Sequence, residues 1–328
     1  MALVDWSKRY GSFFHRVRVL VTGGAGFIGS HLVEALAGLG AGVVVLDDLS
    51  GGSRSNVDSF PLADLHIGSI LDVELLRRAM RDCRYVFHQA ALGSVPRSVE
   101  QPRAYHQANA TGTLNVLEAA RETGARRVMF AASSSAYGNS EQLPKIESMP
   151  PLPASPYAAN KVAGEALMRA YANSYNLDTV SLRYFNIFGP RQNANSAYAA
   201  VIAAFAKALL SGQRPTIYGD GEQSRDFTFV ENAVHANLLA ARHETPLQGE
   251  VLNVACGQRI TVNELAMKMA QSLGRPDLTA THAADRAGDV KHSLADLSLI
   301  NQTLGYQPIV PFGDGLDQTM NWYRTAGV

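Results

Sequence analysis

The segment Val17–Gly29, VRVLVTGGAGFIG, carries the reading of the fold. Its first half, Val17–Thr22, is short, apolar and β-branched, and Gly23 bounds it, which predicts a buried strand. Just downstream, Ile28, Leu32, Val33, Ala35 and Leu36 recur at helical spacing and predict a helix over Phe27–Leu39. A second apolar run, Gly42–Leu46, ends in Asp47 and Asp48. Strand, helix and strand make a βαβ unit of about 30 residues, the size of a parallel crossover. Between the first strand and the helix, Gly23, Gly26 and Gly29 are spaced GxxGxxG. Glycine lets the backbone turn tightly and approach a pyrophosphate seated at the positive helix N-terminus. Asp47, about 20 residues on, stands where a carboxylate accepts from ribose hydroxyls. An acid there favours NAD over NADP, because it repels a 2′-phosphate; Arg54 nearby argues the other way.

The alternation continues outward. Strands are predicted at Leu65–Ile67, Tyr85–His88, Arg127–Ala131 and Thr179–Arg183, with helices at Val73–Met80, Ala104–Thr123 and Tyr157–Tyr175. This order predicts an α/β fold, a doubly wound parallel sheet of Rossmann type, with residues 1–185 as the NAD-binding domain. The rhythm then changes. Residues 189–197 and 211–226 are rich in Gly, Asn, Gln, Arg and Pro and flank an apolar helix, Tyr198–Leu210. A strand at Val251–Val254, a helix at Val262–Leu273 and helices near 296–303 and 314–325 predict a smaller α+β domain over 186–328. Part of 227–256 is expected to return to the main sheet. Pro144, Pro150, Pro151, Pro153 and Pro156 make 143–156 an extended loop.

Composition removes several classes of function. The 29 Lys and Arg balance 29 Asp and Glu, so the basic footprint of a general nucleic-acid binder is missing. Cys83 and Cys256 are the two cysteines and have no metal-ligand spacing, and His88, His106, His235 and His292 are scattered; no metal is expected. No apolar run approaches the roughly 18 residues that cross a bilayer, and residues 1–16 lack the apolar core of a signal peptide. The expectation is a soluble cytoplasmic enzyme without a membrane partner.

Two further motifs carry chemistry. In Ser155–Lys161, SPYAANK, Ser155 suits a helix cap and Pro156 a first turn, which puts Tyr157 and Lys161 on one helix face. An ammonium near a phenol favours the phenolate and lowers its pKa, making Tyr157 a usable acid/base near neutral pH. In Ala131–Gly138, AASSSAYG, three serines follow a predicted strand at the edge where open α/β sheets bind ligands.

TGGAGFIG (22–29), the Ser133–Ser135 cluster and YAANK (157–161) together resemble the extended short-chain dehydrogenase/reductase superfamily. HQAALGSVPRSV (88–99), LRYFNIFGPRQ (182–192), YGDGEQSRDFTFV (218–230) and RAGDVKHSLAD (286–296) resemble its nucleotide-sugar 4-epimerase branch, most of all the bacterial UDP-N-acetylglucosamine 4-epimerases. The similarity runs nearly end to end. It implies a tightly held NAD and a place in polysaccharide biosynthesis. It implies that Tyr157 takes the proton of the sugar 4-hydroxyl while C4 gives its hydride to the nicotinamide. The 4-keto sugar then turns and takes the hydride back on its other face. Ser133 would bond the 4-oxygen, and Lys161 would hold the nicotinamide ribose. Cofactor contacts are implied at Gly23, Gly26, Phe27, Ile28, Gly29, Asp47, Ser69, Ile70, Ala90, Ala91, Asn109, Tyr157, Lys161 and Tyr184. The chain departs from the family at Ser69, where an aspartate that bonds adenine is common. The two long helices imply a homodimer.

The resemblance assigns the UDP-sugar as well. Arg225 and Arg286 match diphosphate-binding arginines, Asn186 a phosphate contact and Asp289 a ribose contact, while Tyr198 and Tyr218 are candidates for packing on uracil. Gly93, Ser94, Ser134 and Ser135 would line the sugar pocket with Ser133 and Tyr157. Ser293 occupies the position that sets pocket size, where a small residue leaves room for a 2-acetamido group and a tyrosine does not. A UDP-glucose 4-epimerase of relaxed specificity stays open. A 4,6-dehydratase would need an Asp-Glu pair after the catalytic serine, where Ser134 and Ser135 stand. A catalytically silent NAD sensor would be expected to break the Tyr157/Lys161 pair, which is intact.

Overall fold

A computed structural model describes residues 3–193, 201–284 and 291–326. Its centre is one seven-stranded sheet in which every pairing is parallel. The first six strands are β1 (Arg18–Thr22), β2 (Gly42–Asp47), β3 (Ala63–Ile67), β4 (Tyr85–His88), β5 (Arg127–Ser133) and β6 (Asp178–Tyr184). The order across the sheet is β3, β2, β1, β4, β5, β6, and then Glu250–Val254 at the far edge. The last strand thus comes from the 227–256 stretch. Register brings Thr22 level with Leu46 on one side and His88 on the other, so the strands end along one common edge.

Strands covered on both faces read as unbroken apolar runs, and their alternation divides the core. Val19, Val21, Val43, Val45 and Phe87 face a cluster that includes Leu32, Val33 and Leu36 of helix Phe27–Gly38. Leu20, Val44, Val86, Val128 and Phe130 face the opposite cluster with Leu76, Val116, Leu117 and Met168. A third cluster, outside the sheet, gathers Phe188, Phe205, Phe229, Leu265, Met269, Leu316 and Tyr323.

Three elements differ from expectation. Helix Val230–Arg242 carries no amphipathic stripe to read, because all its residues but Leu239 and Arg242 are buried against the sheet and its other helices. The expected helix 104–123 starts earlier, as Pro102–His106, and passes through a π turn, Gln107–Thr111, before Gly112–Thr123. The expected helix 198–210 is described only as Val201–Leu210. Among the described residues, no helix is long and apolar enough to cross a membrane, and no group of three or more His, Cys, Asp or Glu is placed to hold a metal.

Candidate active site

Strand order reverses between β1 and β4, and ligands of open α/β sheets bind at such a crevice, beyond the strand ends. A cavity of about 960 Å³ lies there. One end is the glycine turn. Gly23 has φ +68°, and a Cβ on it would lie 2.6 Å from Ala90 N; a Cβ on Gly29 would lie 2.1 Å from Gly23 O. The turn therefore closes on itself and on the end of β4 with no room for side chains, leaving a bare cradle at the N-terminus of helix Phe27–Gly38. Asp47 is buried beside it, accepting from Ala25 N at 2.9 Å and Leu49 N at 2.8 Å. A carboxylate has about four acceptor directions, so it braces the turn and keeps capacity for a ribose. Burial holds the Asp47 pKa above its ordinary value, against the pull of those N–H groups. These residues fit the adenosine and pyrophosphate of a dinucleotide.

At the other end, helix Pro156–Tyr175 begins at the wall. Ser155 caps it by accepting from Ala158 N at 3.2 Å, and Tyr157 N donates to the buried Ser98 hydroxyl at 3.1 Å. Capping fixes the first turn, and with it the phenol of Tyr157. One turn on, Lys161 is buried, donating from Nζ to Ala131 O at 2.7 Å, with Nζ 4.9 Å from the Phe130 ring centroid and 6.0 Å from that of Tyr157. Burial pulls Lys161 down to about 8, while the Glu165 charge opposes. Glu165 is itself committed to Arg183 through two 2.8 Å bonds.

The expectation that Lys161 depresses the Tyr157 pKa is not met in this structure. Burial raises the phenol's pKa, and the opposing pull comes from the Ser133 hydroxyl beside it. The physical reason is that the ammonium is turned to the Ala131 carbonyl. Ser133 Oγ in turn accepts from Ser135 Oγ at 2.9 Å and Ser135 N at 3.2 Å. With its oxygen occupied as acceptor, the Ser133 O–H is the part left to donate.

Most of the expected residues meet at this one cavity. Gly23, Gly26, Phe27, Ile28, Gly29, Asp47, Ser69, Ile70, Ala90, Ala91 and Tyr184 line it, as do Gly93, Ser133–Ser135, Tyr157, Lys161, Asn186, Arg225 and Ser293. Two stand behind the wall instead. Asn109 is buried with both ends of its amide on Leu92, accepting from Leu92 N at 2.8 Å and donating to Leu92 O at 3.0 Å. Ser94 uses its hydroxyl to cap helix Val95–Glu100. Arg286, Asp289 and Tyr198 lie outside the described residues. A smaller cavity of about 300 Å³ shares Asn186 and Arg225 with the first and adds Tyr218, Ile217 and Phe205. Sequence reasoning missed Gln89, Tyr137, Lys145 and His292, which also line the main cavity. Gln89 lay inside a quoted motif; Lys145 sat in a proline-rich loop with no periodic signal at all.

A family model, the NAD dependent epimerase/dehydratase family, matches residues 19–255. The chain belongs to this family. The epimerase/dehydratase match spans the whole sheet, from β1 to the edge strand, together with the glycine turn, Ser133, Tyr157 and Lys161. Among its relatives, a UDP-glucose 4-epimerase of Mycolicibacterium smegmatis is 40 % identical over 94 % of this chain and 99 % of its own. A UDP-N-acetylglucosamine 4-epimerase from Methanobrevibacter ruminantium, solved with UDP-N-acetylmuramic acid, shares 40 % identity at TM-score 0.91, covering 95 % of this chain and 99 % of that one. A dTDP-glucose 4,6-dehydratase from Streptomyces venezuelae, solved with NAD, shares 35 % identity at TM-score 0.85, covering 94 % and 97 %. The fold is therefore common to both chemistries of the epimerase/dehydratase family, and the cofactor of this chain is NAD.

Proposed function

We propose that this protein is a UDP-sugar 4-epimerase that interconverts UDP-N-acetylglucosamine and UDP-N-acetylgalactosamine, acting as a cytoplasmic homodimer. The observation that carries the reading is the composition of the sugar end of the cleft: Tyr157, Ser133 and Lys161 with hydroxyls around them and no carboxylate. Among the described residues, the acids of the cavity wall are Asp47 and Asp48, beside the glycine turn at the opposite end. A 4,6-dehydratase must eliminate water and needs an acid/base pair beside the sugar, which Ser134 and Ser135 do not provide. A reaction that only removes and restores a hydride needs none.

When bound, NAD supplies a hydride acceptor and then a hydride donor. The chain's own residues do the rest. Tyr157 takes the 4-hydroxyl proton and later returns it. Ser133 donates to the 4-oxygen, its own oxygen being held by Ser135. Lys161, on the helix face of Tyr157, would hold the nicotinamide ribose and, turned from the Ala131 carbonyl, would favour the phenolate. Arg225 takes the diphosphate, a task suited to a guanidinium fork. Asn186, at φ +40°, is pinned by its Nδ2 on Asp226 O at 3.1 Å and lines both cavities. Gly93 and Ser293, both small, leave room for an acetamido group and for the turning ring. Leu114, 38 % exposed on helix Gly112–Thr123, is consistent with a helix-paired dimer.

The test is a sugar-nucleotide separation after incubation with UDP-N-acetylglucosamine and, separately, UDP-glucose, with no cofactor added. Appearance of UDP-N-acetylgalactosamine is expected. Conversion of UDP-glucose alone would overturn the roomy pocket, and no conversion of either with NAD supplied would overturn the epimerase.

A further inference from the structure

We infer that Glu165 and Arg183 are positioning residues of the reaction: Glu165 supports the charge of Lys161 from one helical turn behind it, and Arg183 holds both carboxylate oxygens so that Glu165 does not capture the lysine. The inference deepens the epimerase reading and rests on it. Tyr157, Lys161 and Glu165 stand four residues apart along helix Pro156–Tyr175, so they share one face. The helix is pressed onto β5 there: a Cβ on Gly164 would lie 2.4 Å from the Phe130 ring. Lys161 is 3 % exposed and Glu165 6 %. Arg183, on β6, is equally buried and donates from Nε to Glu165 Oε1 and from Nη2 to Oε2, both at 2.8 Å. Its guanidinium carbon lies 4.6 Å from the ring centroid of Tyr137, which lines the cavity.

A buried ion pair is weak support for stability, because desolvation offsets much of the attraction. This pair stands where charge matters to the chemistry. Lys161 must be an ammonium to favour the phenolate, and it must be free to turn from the Ala131 carbonyl. Burial pulls its pKa down, and the Glu165 charge opposes. The other groups around Lys161 give no such support. Ala131 O, on β5, is a neutral acceptor. His88, on β4, is held neutral by burial first and by Lys161 second. Ser133 is a neutral hydroxyl, and burial keeps the Tyr157 phenol protonated in the resting site. Arg183, beyond Glu165, is itself a cation.

A charge acts through space and needs no hydrogen bond, so Glu165 favours the ammonium in either orientation of the lysine. Both of its oxygens are taken by the guanidinium fork, a geometry suited to a carboxylate. Among the described residues it forms its ion pair with Arg183 and leaves the Lys161 ammonium to a carbonyl. The lysine thus keeps its proton without being locked to an anion.

The test is the pH dependence of kcat at saturating UDP-sugar, which reports groups of the bound complex, for the unaltered protein, Glu165→Gln and Arg183→Gln. Lys161 loses its proton as pH rises through about 8, so kcat is expected to fall on that side. Losing a nearby opposite charge shifts a pKa by about one unit or more. Glu165→Gln is expected to move the alkaline fall down by that much. Arg183→Gln is expected to move it up, and to lower the plateau beneath it as Glu165 takes hold of the lysine. Loss of packing alone would lower Tm or kcat in both variants and displace neither profile. Profiles that stay in place, or move in the same direction, overturn the inference. Should either variant not fold, Glu165→Asp keeps both charges and draws the carboxylate back by one methylene. It is expected to move the alkaline fall down by less, and a fall left in place overturns the inference equally. An active enzyme whose profiles do not move removes only the role of the pair. A protein that converts no UDP-sugar with NAD supplied removes the epimerase reading and this inference with it.

Discussion

Three serines in a row are chemically alike, and their hydrogen bonds make them unlike. Ser135 spends its proton on Ser133, which leaves the Ser133 O–H to donate toward a bound oxygen or toward Tyr157. Tyr157→Phe removes the proton acceptor while leaving the ring in place. Proton transfer by a positioned side chain contributes about 10²–10⁴-fold, so kcat is expected to fall by that factor with NAD still co-purifying; near-normal turnover would remove Tyr157 from the mechanism. Ser293 poses a steric question. Ser293→Tyr is expected to abolish conversion of the N-acetylated sugar and to spare UDP-galactose, read by comparing initial rates on the two. Equal loss on both would show that the residue does not set pocket size.

Helices are normally read by their stripe, and two here escape that reading for opposite reasons. Val230–Arg242 has no polar face, since it is buried nearly all round, so periodicity is silent about it. The helical run 102–123 has a stripe, but one extra residue is inserted as the π turn Gln107–Thr111. Such turns frequently sit at functional sites, and here the turn carries Asn109, whose amide holds the loop after β4 by the Leu92 backbone. Motif position alone assigned Asn109 to the cofactor; its contacts make it the holder of the loop that lines the cofactor's side of the cleft. Asn109→Ala leaves a part-buried N–H and C=O without partners. Each unsatisfied group costs about 1–3 kcal/mol, so the denaturation midpoint is expected to fall measurably. The KM for the sugar nucleotide is expected to rise with it as Leu92 and Gly93 loosen. A stability unchanged from wild type would mean the loop is held by something else.

At the scale of the molecule, His88 is the point where three elements meet. Its Nδ1 lies 2.8 Å from Thr22 Oγ1 at the end of β1, and its Nε2 lies 3.0 Å from Thr113 Oγ1 on helix Gly112–Thr123. Burial first, and the Lys161 charge second, hold its pKa down at about 3. The unfolded chain therefore takes up this proton near the ordinary value of 6.5 while the folded chain does not. Its contribution to stability is whole above that value and declines as pH falls from there toward 3. His88→Gln removes this dependence, so the drop in Tm between pH 7 and pH 5 is expected to be smaller in the variant. A drop as steep as wild type would place the acid sensitivity elsewhere; His31 and His235, each held down to about 4, are the other candidates.

What the chain alone determined is whatever depends on neighbours in sequence. The βαβ unit, the glycine turn and the Tyr157–Lys161 pair lie within a few turns or one crossover of their own partners, so spacing was enough to read them. The sheet's first six strands followed from such local signals, while the membership of most of the cleft followed from the resemblance to the epimerase branch carried by its motifs. What only the tertiary structure decided depends on partners far apart in sequence. Asp178–Tyr184 is paired at the edge by Glu250–Val254, Lys145 is set beside Leu294, and Lys161 turns to Ala131 rather than to the phenol. Charge and burial act through space, and a side chain's pKa, its free hydrogen-bond capacity and its place in a wall exist only once those distant segments have met.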